Sequence, residues 1–247
     1  MRIQVSNDDG IYSPGILALA EVAGKFGEVR IVAPEVEQSS MGHAITSNRP
    51  LRYRRVPIKS FDAYGVNGTP GDCVALGLHL FGGADLVVSG INHGLNLGNS
   101  IWHSGTVAAA KQAVLLGRRG IAFSTPAEDI EPDFEALKPA VEEVLGLLID
   151  RPSPMLINVN LPARSRGILW TRQSVRQYDG KIMRNEDPNH REHYWFTVVP
   201  IQNPEEGTDR WALEHGLTSI TPLRLDLTDY SELENIKPDI LKQSHSR

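Results

Sequence analysis

The chain has 247 residues, 40% of them hydrophobic and 22% charged, with a formal net charge of −5. That is an ordinary globular composition with material for a real core, and its acidic balance excludes a general nucleic-acid binder, whose affinity rests on a basic surface. Cys73 is the single cysteine, so neither an intrachain disulfide nor a cysteine-based metal site is available. No apolar run approaches the roughly 18 residues of a membrane span, and the N-terminus lacks a charged region followed by an apolar stretch. A cytoplasmic enzyme with no membrane partner is the expectation.

In chain order, Arg2–Ser6 predicts a strand that stops abruptly in Asn7-Asp8-Asp9-Gly10. Ser13 as N-cap, Pro14 at the first helical position and Ile16, Leu17, Leu19 and Ala20 then predict a helix. Ligands of parallel α/β sheets sit outside the carboxyl ends of the strands, so two negative charges stand where such folds do chemistry. Side by side they repel, which is tolerable when a cation or a good set of donors lies between them. Turn formation is the plain alternative for an Asp-Asp-Gly run.

Glu28–Ala33 predicts a second strand stopped by Pro34, followed by a polar loop through residue 50 that contains Ser39 and His43. Leu51–Val56 and Ala63–Val66 predict short strands. Thr69-Pro70-Gly71-Asp72 is a capping pattern for a helix through Leu80. Asp85–Ser89 predicts a buried strand running into a loop with glycine or asparagine at every second position: Gly90, Asn92, Gly94, Asn96 and Gly98. Ser104-Gly105-Thr106 opens the next helix, where free backbone N–H groups and the dipole favour an anion such as phosphate. Strands at Ile121–Ser124 and Met155–Val159 flank a helix at Phe134–Ile149.

This alternation to about residue 162 is the signature of a doubly wound parallel sheet. Residues 163–247 predict an extension packed on that core. In it, strands at Leu169–Val175 and Tyr194–Val199 flank a polar arm, Tyr178–Glu192, suited to gripping a neighbouring subunit. A short helix at Arg210–His215, a strand at Leu217–Thr221 and a terminal helix from Ser231 complete it.

Three strand ends thus bring polar loops to one rim: 7–10, 39–43 and 90–98. Carboxylates, a hydroxyl and an amide oxygen form an all-oxygen set, which suits Mg²⁺ or Mn²⁺ rather than zinc. Other phosphate chemistries fail on the residues. There is no Gly-x-x-x-x-Gly-Lys-Ser/Thr loop and no dinucleotide fingerprint after the first strand. The Asp-x-Asp of an aspartyl-phosphate enzyme is missing, and the later strand ends (Ala33-Pro34, Ser89-Gly90, Ser124-Thr125) offer no phospho-accepting aspartate. Arg49, Arg52, Arg54, Arg55 and Lys59 form a basic run that reads as a solvated strand face, with a landing strip for polyphosphate as the functional alternative. Phe61, Tyr64 and Trp102 are candidates for stacking on a base, though core packing is the plainer use of each.

Asn7-Asp8-Asp9-Gly10, Ala33-Pro34 with Ser39 and Gly42-His43, Asn67-Gly68-Thr69-Pro70, Ser89-Gly90-Ile91-Asn92-x-Gly-x-Asn-x-Gly and Ser104-Gly105-Thr106 form five ordered blocks. In these, and again in Thr208-Asp209 and Ser219–Leu223, the chain resembles the SurE family of stationary-phase survival proteins, metal-dependent nucleoside monophosphate phosphatases. The resemblance implies a Rossmann-like core and a homodimer or homotetramer built with the C-terminal extension. It implies one Mg²⁺ or Mn²⁺ per subunit held by Asp8, Asp9, Ser39 and Asn92. The activity implied is hydrolysis of 5′-nucleotides, sometimes of 3′-nucleotides and short polyphosphate.

The expected mechanism is in-line attack of water on the phosphate. Asn96, Ser104, Gly105 and Thr106 would hold the phosphoryl oxygens, Asp8 or Asp9 would orient or deprotonate the water, and His43 would protonate the leaving oxygen. A non-catalytic metal and nucleotide sensor on the same scaffold is the alternative; steady phosphate release that stops with EDTA separates the two.

Overall fold

The computed structural model describes residues 1–127, 132–152, 155–175, 178–200 and 203–236. The first half of the chain runs β1 (Arg2–Ser6), α1 (Pro14–Ala23), β2 (Glu28–Pro34), β3 (Tyr53–Ile58), β4 (Phe61–Val66), α2 (Pro70–Leu80), β5 (Leu86–His93) and α3 (Gly105–Leu115), with a 3₁₀ turn at Gly98–Trp102. The second half runs β6 (Arg119–Thr125), α4 (Phe134–Leu148), β7 (Leu156–Asn160), β8 (Ile168–Trp170), β9 (Tyr178–Glu186), β10 (Glu192–Pro200), α5 (Asp209–Glu214), β11 (Thr218–Leu223) and α6 (Tyr230–Asn235).

The helices begin where their caps dictate. Ser13 Oγ accepts from the Ile16 N–H ahead of α1, and Ser104 Oγ from the Val107 N–H ahead of α3. Thr69 and Asp72 form a reciprocal capping box at α2. Each satisfies a donor that the first helical turn leaves without a partner.

Among the described residues nine strands form one sheet in the order β3-β4-β2-β1-β5-β6-β7-β11-β8. The pairs from β4 through β7 are all parallel, while β3 and β11 run antiparallel to β4 and β7. This is the doubly wound, mostly parallel sheet expected. Alternate residues of the central strands serve opposite faces. Ile3, Val5, Leu86, Val88, Ile121 and Phe123 pack with α1 and α4, whereas Val87 and Ala122 meet α2 and α3. Burying each such aliphatic side chain contributes about 1.5–3 kcal/mol. Close approach matters as much as area: a Cβ on Gly120 would lie 2.0 Å from the Ala110 carbonyl oxygen, so α3 can sit this near β6 only over a glycine.

The expected core at 1–162 and strands β8 and β11 of the expected extension at 163–247 share this one sheet, because β11 pairs with β7 and β8 joins β11 in parallel. The arm differs from expectation in its pairing. Tyr194–Val199 lies within β10, but its partner is β9, drawn from the polar segment itself, in a nine-residue register from Glu192↔Glu186 to Pro200↔Tyr178. The strand expected over Leu169–Val175 ends at Trp170 and belongs to the main sheet. The physical reason is exposure: Ile182, Met183, Tyr194, Trp195 and Phe196 are all exposed, so the ribbon buries neither face and never develops alternating apolar positions.

The basic run lies on and around the edge strand β3 and is largely neutralised. Arg54 pairs with Glu35, Arg55 with Asp62, and Lys59 with Glu21. Among the described residues no helix is long and apolar enough to cross a membrane.

Candidate active site at the carboxyl rim of the sheet

The chain turns outward from β1 to β2 and later returns to place β5 on the other side of β1. Loops at the carboxyl ends of β1 and β5 therefore diverge, leaving a crevice at the switch point. Asp8 and Asp9 follow β1; Asn92 closes β5 beyond its pairing with β1, and Asn96 lies in the loop that follows. The loop after β2 is tied down beside them: the Gln38 N–H donates to the Asp8 carbonyl at 2.7 Å, and the Gly42 N–H to the His103 carbonyl at 3.0 Å. The three loops expected at one rim are there, around a cavity of about 560 Å³.

Asp8, Ser39, Asn92, Asn96 and Ser104 all line that cavity. Asp8 is buried, and Thr106 Oγ1 donates to its Oδ1 at 2.5 Å. The N–H groups of Gly105 and Thr106 also act on this carboxylate and favour its charged form. The positive end of α3 is thus occupied by Asp8. Gly105 and Thr106, expected to hold phosphate, lie behind Asp8 instead of on the cavity wall. A Cβ at Gly105 would lie 2.7 Å from Asp8 Cβ and 2.8 Å from Oδ2, so the close approach of helix to carboxylate requires glycine.

Asp9 stands next to Asp8, partly buried, and takes a hydrogen bond from the His93 backbone. Burial, then the Asp8 charge, and more weakly Glu37, push its carboxyl up to about 7. Burial also raises Asp8, against the pull of Thr106. Among the described residues no basic side chain pairs with either aspartate, so the pair lacks a positive partner.

The other oxygens are presented by short local bonds. Asn92 commits its side-chain nitrogen to the Gly94 carbonyl at 2.6 Å, leaving the amide oxygen as the end that can serve a cation. Ser39 is exposed, and its hydroxyl donates to Glu37 Oε1 at 2.6 Å, which keeps its lone pairs available. No group of three or more His, Cys, Asp or Glu suited to a metal is present among the described residues. A cation here must therefore draw on the two carboxylates plus neutral oxygens. The uncompensated charge and hard donor set fit Mg²⁺ or Mn²⁺ and do not fit a nitrogen- or sulfur-preferring ion.

His43 does not reach the cavity. Its Nε2 is 2.8 Å from Gln112 Oε1 on α3, which makes it a brace between loop and helix. The imidazoles on the cavity wall are His93 and His103. His103 directly precedes the Ser104 cap, so its place was readable only once α3 had been docked against Asp8.

Asn158, inside the strand expected over Met155–Val159, and Asn160, one residue beyond it but within β7, also serve the site. Both donate to the Asn96 carbonyl, at 2.7 and 2.9 Å, while the Asn96 N–H donates to Asn160 Oδ1 and its side chain to Ser124 Oγ. Two asparagines inside a fully buried strand are unusual and were the signal for this role. Asp209, wholly buried, holds the far end of the same loop by accepting from the Gly98 and Ser174 N–H groups.

The charge of Asp9 has a consequence for stability. A carboxylate raised to about 7 in the fold contributes stability that is fully present below its unfolded value and lost as pH rises toward and through 7. In EDTA, Asp9→Asn should therefore melt above the parent at pH 8, by roughly 3 °C, and the gap should narrow as pH falls below 7 and close only near pH 4, the unfolded carboxylate value. Thermal melts followed by circular dichroism across that range check this; adding Mn²⁺ at pH 8 should stabilise the parent far more than the variant.

A doubly wound α/β sheet that gathers two carboxylates, a hydroxyl and an amide oxygen at its switch point defines a class: hydrolases that act on phosphate esters at a hard cation. The comparisons narrow it. A family model described as "Survival protein SurE" matches residues 3–180. The chain is 47% identical over 240 residues to "5′-nucleotidase SurE 1" of Thermus thermophilus, covering 95% of this chain and 96% of that one. It is 43% identical over 236 residues to "5′-nucleotidase SurE" of Deinococcus radiodurans, covering 92% and 88%. In three dimensions it is similar to the crystal structure of the SurE protein from Aquifex aeolicus, with TM-score 0.86, 38% identity and coverage of 96% and 98%. The chain belongs to the SurE family.

Proposed function

We propose that the protein is a 5′-nucleotidase, a phosphoric monoester hydrolase that converts nucleoside 5′-monophosphates to nucleoside and phosphate. The observation that carries this is the uncompensated Asp8–Asp9 pair at the switch point, with neutral oxygens around it and a cavity of nucleotide size in front. The names of relatives matched over nearly the whole chain support the same activity and favour it over a nucleotide sensor.

Asp8, Asp9, Ser39 and Asn92 hold one divalent ion per subunit, Mg²⁺ or Mn²⁺. When bound, it supplies charge to the phosphoryl oxygens and lowers the pKa of a water. The protein's own groups do the rest. Asn96 and the Ser104 hydroxyl take phosphoryl oxygens; Ser104 accepts from the Val107 N–H yet keeps its O–H to donate. Thr106 and the N–H groups of Gly105 and Thr106 fix the Asp8 carboxylate. An aspartate of the pair orients the water for in-line attack as the bond from phosphorus to the ribose oxygen breaks. The proton for that oxygen is assigned to His103, supported by its presence on the cavity wall, while His43 braces the loop.

The β9–β10 arm, with Ile182, Met183, Tyr194 and Trp195 exposed, is assigned to subunit contacts in a dimer or tetramer. Turnover of 3′-nucleotides and short polyphosphate belongs to the same reading. The paired state of Arg54, Arg55 and Lys59 argues against a polyphosphate track on β3.

The test is steady phosphate release from adenosine 5′-monophosphate with Mg²⁺ or Mn²⁺. Multiple turnovers that stop with EDTA and resume with excess metal are expected. Metal-dependent nucleotide binding without release would overturn the enzyme in favour of the sensor.

A further inference from the structure

Most residues on the cavity wall around Asp8 come from the loops after β1, β2 and β5 and from the start of α3, yet one described side chain on it comes from the far end of the chain. Phe196, on β10, lines the same cavity as Asp8, Ser39 and His103. It is 70% exposed, so burial does not account for its position. Its ring lies across the ribbon from Gly180, where a Cβ would come within 2.7 Å of the ring, so the glycine gives the ring its seat. The remaining aromatic candidates for a base are engaged elsewhere. Tyr64 stacks on Phe81 with centroids 4.5 Å apart, Phe61 packs against the core, and Trp102 lies under Lys111 in a separate groove.

A nucleotide held by its phosphate at Asn96 and Ser104 must extend its base away from the sheet, and an aromatic face is what a purine or pyrimidine ring stacks on without regard to sequence. Taking the 5′-nucleotidase reading as its basis, we propose that Phe196 is the base platform of this site, a specificity-determining residue that favours nucleotides over phosphate esters lacking a base. The phosphate end and the base end are then supplied by different parts of the fold, the main sheet and the arm. The arm's two strands pair only with each other among the described residues.

The experiment compares kcat/KM for adenosine 5′-monophosphate with that for ribose 5-phosphate, the same ester without its base. In Phe196→Ala and in Phe196→Leu the ratio should fall about tenfold, mainly through the KM for the nucleotide, and Phe196→Trp should hold it at the parent's value. Phe196→Leu separates stacking from apolar filling: a ratio kept by leucine overturns the proposal. An equal loss on both substrates also overturns it, because that would make Phe196 a support for the cavity as a whole. Release from neither substrate by the parent protein would instead remove the 5′-nucleotidase reading, and this inference with it.

Discussion

Asp8→Asn should reduce metal-dependent phosphate release by about a hundred- to a thousandfold, the scale on which loss of one preorganised electrostatic group is felt. The substitution is nearly isosteric and its amide oxygen can still accept the Thr106 hydroxyl that Asp8 Oδ1 receives, so the fold should survive. What disappears is charge. Asp8 is the buried member of the pair, held by Thr106 and the start of α3. A parent protein at a hundredfold excess of Mn²⁺ over its Kd gains about 2.7 kcal/mol, and the variant should show almost none of it. Thermal melts with and without Mn²⁺, run beside the phosphate assay, check both halves. A variant that keeps its Mn²⁺ stabilisation and its rate would remove Asp8 from the site.

The second large effect should come from a methyl group. Gly105→Ala places a Cβ 2.7 Å from Asp8 Cβ and 2.8 Å from Oδ2, well inside contact distance. Asp8 has little room to yield, since its carbonyl is fixed by the Gln38 N–H and its carboxylate by Thr106. Either the carboxylate or the first turn of α3 must move. A displacement of that size at a positioned group costs on the order of a hundredfold in kcat/KM, and overpacking adds about 1–3 kcal/mol of destabilisation. Gly146→Ala is the control: it is the same change inside α4, where the new methyl meets nothing within 4 Å, and it should stabilise by roughly 0.5–1 kcal/mol. Urea unfolding and steady-state kinetics on both variants separate a local clash from a general intolerance of alanine.

Much of this site is legible in the order of residues alone. The caps at Ser13, Thr69 and Ser104 are read from three or four neighbouring residues, because capping is a local bargain between a side-chain oxygen and a backbone N–H. The buried strands are equally local, being apolar runs closed by a proline or a polar turn. From these, the placing of Asp8, Ser39, Asn92 and Asn96 at strand ends followed. So did their meeting at one rim, since parallel strands point their carboxyl ends the same way.

Tertiary structure decided which side chain faces what. Thr106 turns toward Asp8 and His43 toward Gln112 because α3 docks where β6 presents Gly120, which brings together residues 98 and 69 positions apart in the chain. Asn158 and Asn160 acquire their role only when β7 is laid beside β6 and the loop after β5 folds over it. The arm's register was hidden as well, because a ribbon exposed on both faces leaves no hydrophobic period to read. Local bonds and burial write themselves into the order of residues; the partner across a docked helix or a solvated ribbon does not, since its free energy depends on neighbours that only the folded chain brings near.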